Sequence, residues 1–158
     1  MDEFAHVEDE GTTMVDVTDK PDVYREAVAT GTIDLQPSTV AAVRDAAAPK
    51  DDVLATARVA AIQAVKRTWD DVPMCHQVPV TDVSVDFDIV EDRIDAEVSV
   101  TSTGKTGVEM EALNGVTRAL LTLWDMVKSA EKTDDGGYPD TAITDVRVER
   151  KVTGEASE

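Results

Sequence analysis

The chain of 158 residues is long enough for one domain with a buried core and too short to argue for two. Its 33 acidic and 15 basic residues give a net charge of -18, which disfavours binding to nucleic acid and to anionic membrane surfaces. With one cysteine and two histidines, an intramolecular disulfide and a structural Cys/His zinc site are excluded.

The acidic excess is compatible with a folded protein, because 42% of the residues are hydrophobic, although only 4% are aromatic. We expect an acidic, solvated surface adapted to high salt, where ions screen the self-repulsion. The first ten residues lack the apolar run of a signal peptide, and no stretch approaches the ~20 apolar residues of a membrane helix. We therefore expect a cytoplasmic protein.

The N-terminal third of the chain predicts a tail, a strand and a helix. Residues 1–13 are polar and predict a flexible acidic tail, followed by an extended segment over 14–21. Residues 23–35 are rich in β-branched side chains and favour a strand. Ser38 is a candidate N-cap for a short helix, which we expect to end before Pro49.

A second helix is predicted from a cap at Asp51 or Asp52 to about Thr68. Small apolar residues recur through it at three- and four-residue spacing, namely Val53, Ala57, Ala60, Ala61, Ala64 and Val65. The following segment, from Pro73 to Pro79, is too short and too rich in proline for a helix. We expect it to be extended or looped.

The C-terminal half predicts a hairpin, a long helix and a last strand. Alternation of apolar and polar residues over 83–89 and again over 94–100 is typical of a half-buried antiparallel hairpin. Helical spacing of apolar residues follows over 107–130, then a loop over 134–139 and a strand over 143–148.

The order of elements predicts an α+β fold. Strand, helix, helix, strand, strand, helix and strand follow one another, as in the ferredoxin-like plan, in which helices pack on one face of an antiparallel sheet. We expect a single catalytic domain over residues 14–151 and a flexible C-terminal tail over 152–158.

Cations stand out in so acidic a chain, and several lie on or near the two best helices and the segment between Pro73 and Pro79. A pocket that collected them would suit a triphosphate, because arginine makes bidentate contacts and lysine supplies point charges. Lysine and arginine at a helix end also simply complement the helix dipole, so Lys66 and Arg67 have two open interpretations. The cations considered are Lys50, Arg58, Lys66, Arg67, Lys105 and Lys128.

Cys75 and His76 are adjacent, which raises the question of a nucleophile and its base. Neighbours in an extended segment point to opposite sides, so a catalytic dyad is disfavoured. His76 is better interpreted as a substrate contact, with a buried structural histidine as the alternative.

Residues 103–107, Thr-Gly-Lys-Thr-Gly, resemble the end of a phosphate-binding loop. The full motif needs a glycine five residues before Gly104, where Ser99 stands, so the motif fails. A glycine-rich entry to a helix remains, which is a weaker signal for an anion site.

Asp125 and Lys128 lie three residues apart on the long helix and can share a face. Such a pair is usually a surface ion pair. Apolar neighbours Leu123, Trp124 and Val127 favour partial burial instead, where each charge would tune the proton affinity of the other. Spacing alone leaves both interpretations open.

Several ordered segments together resemble cyclic pyranopterin monophosphate synthase, a lyase family of molybdenum cofactor biosynthesis. The resemblance runs from Met14 to about Lys151. Its motifs are Met14-Val15-Asp16-Val17, Ala57-Arg58-Val59-Ala60, Lys66-Arg67-Thr68, Pro73-Met74-Cys75-His76, Thr106-Gly107-Val108-Glu109-Met110-Glu111-Ala112-Leu113 and Asp125-Met126-Val127-Lys128.

The resemblance implies a ferredoxin-like fold and a homohexamer built as a trimer of dimers, with active sites at the dimer interface. It implies conversion of a cyclic dihydroguanosine triphosphate to cyclic pyranopterin monophosphate with release of pyrophosphate. No resident cofactor or metal is implied with certainty, and Mg²⁺ can accompany the triphosphate.

The resemblance also implies roles for individual residues. Asp125 and Lys128 match the catalytic aspartate and lysine, and Lys50 matches a further active-site lysine. The residues expected to bind substrate are Arg25, Lys66, Arg67, Met74, Cys75, His76, Glu109, Met110 and Glu111.

Three positions depart from the pattern of the family. Asp51 stands where glycine is frequent, Gln77 where proline is frequent, and the C-terminal segment lacks a usual lysine, for which Lys151 is the nearest substitute. The alternatives to a lyase are a non-catalytic nucleotide-binding or assembly module on the same fold, and a purely structural acidic oligomer.

Overall fold

The structure, a computed structural model, describes residues 6–8, 11–45 and 47–154, without the side chains of residue 8 and of residues 47–52. The strands are β1 (Val7–Glu8), β2 (Gly11–Thr12), β3 (Val23–Asp34), β4 (Val80–Val90), β5 (Arg93–Gly104) and β6 (Ala142–Thr153). The helices are α1 (Pro37–Asp45), α2 (Ala47–Lys66), α3 (Thr68–Asp71) and α4 (Glu109–Glu131).

The main sheet is antiparallel, with the strand order β4-β5-β3-β6. Alternate side chains of β5 are buried, which shows the face of the strand that packs on the core. Ile94, Ala96, Val98 and Val100 are buried, and the residues between them are less so. This topology confirms the predicted α+β fold and the predicted order of its main elements.

The core lies between the sheet and the helices α2 and α4. Val116, Leu120 and Leu123 line the buried face of α4 at helical spacing. α2 and α4 approach closely at Gly115, where a Cβ atom would lie 2.7 Å from Cγ2 of Val65 and 3.0 Å from Cγ1 of Val98. A core of small aliphatic side chains thus depends on close helix packing.

A buried carboxylate, that of Glu131, connects the end of α4 to the start of α1. Glu131 is 1% exposed and accepts hydrogen bonds from the backbone N–H of Gln36 at 3.2 Å, from the hydroxyl of Thr39 and from that of Thr141 at 2.7 Å. The sequence pattern did not single out this residue, because a glutamate at a helix end is usually solvated.

Pro49 does not separate two helices as predicted, because α2 begins at Ala47 and contains Pro49 in its first turn. The first backbone N–H groups of a helix have no partner within the helix, so a proline costs little there. β6 includes residues 152 and 153, which the sequence placed in a tail, and β1 pairs with β2 inside the predicted N-terminal tail. Across the described residues, no helix is long and apolar enough to span a membrane.

Candidate active site

Residues 72–79 connect α3 to β4 without regular secondary structure, as predicted for a segment that contains two prolines. A turn begins the segment, in which the N–H of Cys75 donates to the carbonyl of Val72 at 3.0 Å. At its other end the hydroxyl of Ser102 donates to the carbonyl of Pro79 at 3.0 Å. Both ends are therefore fixed, and Met74, Cys75 and His76 are held half-buried between them.

Cys75 and His76 have different surroundings, as expected for neighbours in an extended segment. His76 lines a cavity of about 280 Å³. Burial raises the pKa of the Cys75 thiol, and the nearby charge of Glu111 raises it further. A thiol with a raised pKa is a poor nucleophile. This environment agrees with the interpretation of Cys75 as a pocket residue.

Glu111, in the first turn of α4, is a carboxyl group in an apolar setting. It is 4% exposed, and burial, together with the charge of Glu109, raises its pKa to about 7. A group with this pKa is present in both protonation states near neutral pH, so it can donate or accept a proton. The N-terminus of α4 thus places an acid-base group beside the thiol of Cys75.

Glu109 folds back over the chain just before α4, where a Cβ atom on Gly107 would overlap its Oε1 atom. The amine of Lys151, on β6, lies 3.5 Å from this Oε1 atom. Oε1 is buried and receives no hydrogen bond from the described residues. Lys151, which the sequence offered only as a substitute for a missing lysine, therefore reaches the same end of α4 as Glu111.

Asp125 and Lys128 form an ion pair on α4, with 2.8 Å between Nζ and Oδ1. Of the two interpretations that the sequence left open, the isolated chain shows the exposed ion pair, since the two side chains are 65% and 51% exposed. The reason is helical geometry: Leu123 and Val127 face the core, whereas Asp125 lies about 200° around the helix from Leu123. The hydrogen bond that Lys128 donates to Asp125 raises the pKa of Lys128, which keeps the amine protonated.

The two groups of predicted residues lie at opposite ends of α4. Asp125 follows Glu111 by 14 residues, which places it about 21 Å further along the helix axis. Side chains this far apart on one helix cannot both contact the same reacting atoms of a substrate. The structure therefore places Cys75 near Glu111, with Met74 and His76 as the chain neighbours of Cys75, and leaves Asp125 and Lys128 towards the other end of α4.

The predicted cations have varied surroundings. Arg25 donates to the carbonyls of Gly104 and Lys105, both at 3.2 Å, and Arg58 donates to the carbonyl of Val85 and lies 5.5 Å from the ring centroid of Phe87. Both arginines thus have structural contacts. Lys66, Arg67 and Met110 are exposed, and the side chain of Lys50 lies outside the described residues.

Arg67 shares a cavity of about 250 Å³ with Arg118, a residue that the sequence did not single out. Arg118 lies 3.7 Å from Asp71, whose carboxylate also accepts a hydrogen bond from Asn114 at 2.9 Å. Arg118 could have been noticed, because it lies seven residues before Asp125 on the outer face of α4.

A wider groove, of about 1070 Å³, lies on the face of the sheet opposite the helices and is unsuited to a triphosphate. Its carboxylates would repel phosphate groups and outnumber its arginines, Arg93 and Arg147. The carboxylates are those of Asp34, Asp86, Asp88, Asp95, Glu97, Asp145 and Glu149. Among the described residues, no three His, Cys, Asp or Glu side chains are grouped so that they could hold a metal ion.

Comparison with known proteins places the chain in a family. A model described as "MoaC family" matches residues 14–154. The chain belongs to the MoaC family. This confirms the family that the sequence motifs resemble.

MoaC relatives are similar to this chain over nearly its whole length. A Methanothermobacter thermautotrophicus protein named "Probable cyclic pyranopterin monophosphate synthase accessory protein" is 56% identical over 151 residues, 96% of this chain and 95% of its own. A Natronomonas pharaonis protein named "Probable cyclic pyranopterin monophosphate synthase" is 58% identical over 150 residues, 94% of each chain. A Methanospirillum hungatei protein of the same name is 57% identical over 149 residues, 94% of this chain and 96% of its own.

Proposed function

We propose that this MoaC-family chain is a lyase of molybdenum cofactor biosynthesis that converts a cyclic dihydroguanosine triphosphate to cyclic pyranopterin monophosphate and pyrophosphate. The names of relatives that are 56–58% identical support the activity. The observation that carries the arrangement of the site is the separation of Glu111 from Asp125 and Lys128 along α4.

The proposed site combines two copies of the chain. One copy contributes the segment Met74–His76 with Glu111, and another contributes Asp125 and Lys128. Three of these groups support the proposal by their chemistry: a carboxyl group with a pKa of about 7, and an exposed ion pair whose lysine is kept protonated. A homohexamer made as a trimer of dimers is the assembly that we propose for these shared sites.

In the proposed reaction, protons move while the five-membered ring of the purine opens and the pterin ring closes. Asp125 keeps Lys128 protonated in the isolated chain, and burial against the second copy would lower the pKa of Lys128 so that it can donate this proton. Glu111 is suited to exchange a proton near neutral pH. Lys66 and Arg67, both exposed, supply positive charge for the triphosphate, with Lys50 as a further catalytic lysine. Mg²⁺ would be bound mainly by the phosphates.

The decisive experiment follows pyrophosphate release and product formation from the cyclic triphosphate by the purified chain. We expect Asp125→Asn and Lys128→Ala to abolish turnover and leave the oligomer intact. Near-normal turnover by either variant would remove the role assigned to that residue. Ser129→Ala, on the same exposed end of α4, is a matched control and should retain activity.

Mixing two variants tests whether the site is shared, where each variant is inactive when it is reassembled alone. His76→Ala and Asp125→Asn chains, unfolded together and reassembled, should form intact sites by random pairing in about one quarter of cases. If His76 and Asp125 of the same chain formed each site, the mixed sample would stay inactive. Each variant reassembled alone provides the baseline.

Two other functions predict different results. A nucleotide-binding or assembly module would bind the triphosphate and release no pyrophosphate. A structural oligomer would show no rise in melting temperature with the triphosphate, because a ligand stabilises only a protein that binds it.

A GTP-derived substrate and the lone, unpaired Cys75 fit the cytoplasm as the proposed location.

A further inference from the structure

Residues 14–22, which we call the strap, cross the surface beside His76 without forming a helix or a strand. Two local turns shape the strap. Oδ1 of Asp16 accepts hydrogen bonds from the N–H of Thr18 at 2.9 Å and from its hydroxyl at 2.5 Å, and the N–H of Lys20 donates to the carbonyl of Val17 at 3.0 Å. Most strap side chains are exposed, so few apolar contacts hold it in place.

Lys105 contacts the strap through three polar groups of the strap. Its ammonium group donates to the carbonyl of Lys20 at 2.8 Å and to that of Thr18 at 3.4 Å, and lies 3.9 Å from Oδ1 of Asp22. The backbone beneath Lys105 is itself held, because Arg25 donates to the carbonyls of residues 104 and 105. A fixed turn therefore presents a charged donor to the carbonyl groups of the strap.

The strap and the turn enclose the cavity of about 280 Å³ that His76 lines. Val17 and Asp22 contribute the strap side of this cavity, and Lys105 and Thr106 contribute the turn. Val17 is the half-buried strap residue that faces it. The position of one wall beside His76 thus depends on the strap staying attached.

We propose that Lys105 is a positioning residue for the substrate pocket. Its hydrogen bonds to the strap, which we call the latch, hold the strap in place as one wall of the cavity beside His76. The inference rests on the proposed function, since it takes this cavity as part of the substrate site. It also accounts for the Thr-Gly-Lys-Thr-Gly sequence at 103–107, whose lysine binds backbone carbonyls of the strap instead of phosphate.

Loss of the latch should act on substrate affinity. When the strap is attached in only a fraction of molecules, the apparent dissociation constant rises by the inverse of that fraction. Bound substrate would still hold the strap closed at saturation. The chemical step is therefore unchanged once the site is filled.

The kinetic test compares Lys105→Met with the wild-type chain and with Lys132→Met, an exposed lysine beyond the end of α4. We expect KM for the cyclic triphosphate to rise about fivefold to tenfold in Lys105→Met, from the loss of charged hydrogen bonds, with kcat within a factor of about two. Lys105→Arg retains a charged donor and should recover most of the wild-type KM. Lys132→Met should match the wild type.

An unchanged KM in Lys105→Met would overturn the proposal. A fall in kcat at constant KM, with a lower melting temperature, would also overturn it, because it indicates a purely structural lysine. Amide hydrogen exchange tests the latch without substrate. In Lys105→Met the strap amides, that of Lys20 among them, should exchange at least about tenfold faster, while those of α4 keep their rates.

The exchange experiment separates this inference from the proposed function. If the wild-type chain releases no pyrophosphate but strap exchange accelerates in Lys105→Met, the proposed function fails and the latch stands. If the wild type turns over and the strap exchange is unchanged, the latch fails and the function stands.

Discussion

Replacement of Glu111 by glutamine should remove a pH dependence of stability that the buried carboxyl group imposes. The pKa of Glu111 rises from 4.5 to about 7 in the folded chain, chiefly because the group is buried. Between these pH values the folded state retains a proton that the unfolded state loses, so stability falls as the pH rises. The rise from 4.5 to about 7 corresponds to about 3 kcal/mol lost between pH 4 and pH 8.

Chemical unfolding at pH 4, 6 and 8, at one protomer concentration and one salt concentration, measures this loss. Glutamine does not titrate, so Glu111→Gln should not show this loss. As the pH rises from 4 to 8, the free energy of unfolding of the variant minus that of the wild type should therefore increase by about 3 kcal/mol. Glu91→Gln, an exposed carboxylate in the turn between β4 and β5, should follow the wild type. If Glu111→Gln and the wild type kept parallel pH profiles, the carboxyl group would not be held protonated by burial.

Two further predictions concern the stability of the fold. Glu131→Ala leaves the hydrogen-bond donors of Gln36, Thr39 and Thr141 without their acceptor, so the free energy of unfolding should fall by about 3 kcal/mol or more. In the same denaturant titration, the exposed control Glu91→Ala should lose about 0.5 kcal/mol. The melting temperature of the wild type should rise steadily with KCl concentration, since the net charge of -18 repels itself in dilute salt, and equal melting temperatures at low and high salt would refute an adaptation to salt.

The sheet could be predicted because apolar and polar residues alternate along its strands according to which side chains are buried. Ile94, Ala96, Val98 and Val100 alternate with polar residues, and the period of two fixes both the strand and its buried face. α4 was equally clear from its period of 3.6. The prediction that a helix ends before Pro49 is wrong because a proline can end a helix or occupy its first turn, and the local sequence does not distinguish these cases.

The chemical environment of the candidate site depended on contacts between distant parts of the chain. Glu111 and Glu109 differ by two positions, but the first points into the core and the second folds back over Gly107 toward Lys151. No spacing rule predicts a pKa of about 7 for one of them. The hydrogen bonds from Lys105 and Arg25 to backbone carbonyls could not be predicted either, since a sequence motif shows where a cation is but not which group it binds.

The exposure of Asp125 and Lys128 connects the proposed chemistry to assembly. In the isolated chain, the hydrogen bond that Lys128 donates to Asp125 raises the pKa of Lys128, and an exposed lysine with a raised pKa exchanges protons poorly near neutral pH. Burial against a second copy would desolvate the ammonium group and lower its pKa toward the working range. Catalysis would then require the oligomer, and in so acidic a chain the oligomer should weaken as salt is removed. Turnover and association should therefore be lost together as the ionic strength falls. Unfolding of the individual chains should occur in a separate transition from this dissociation.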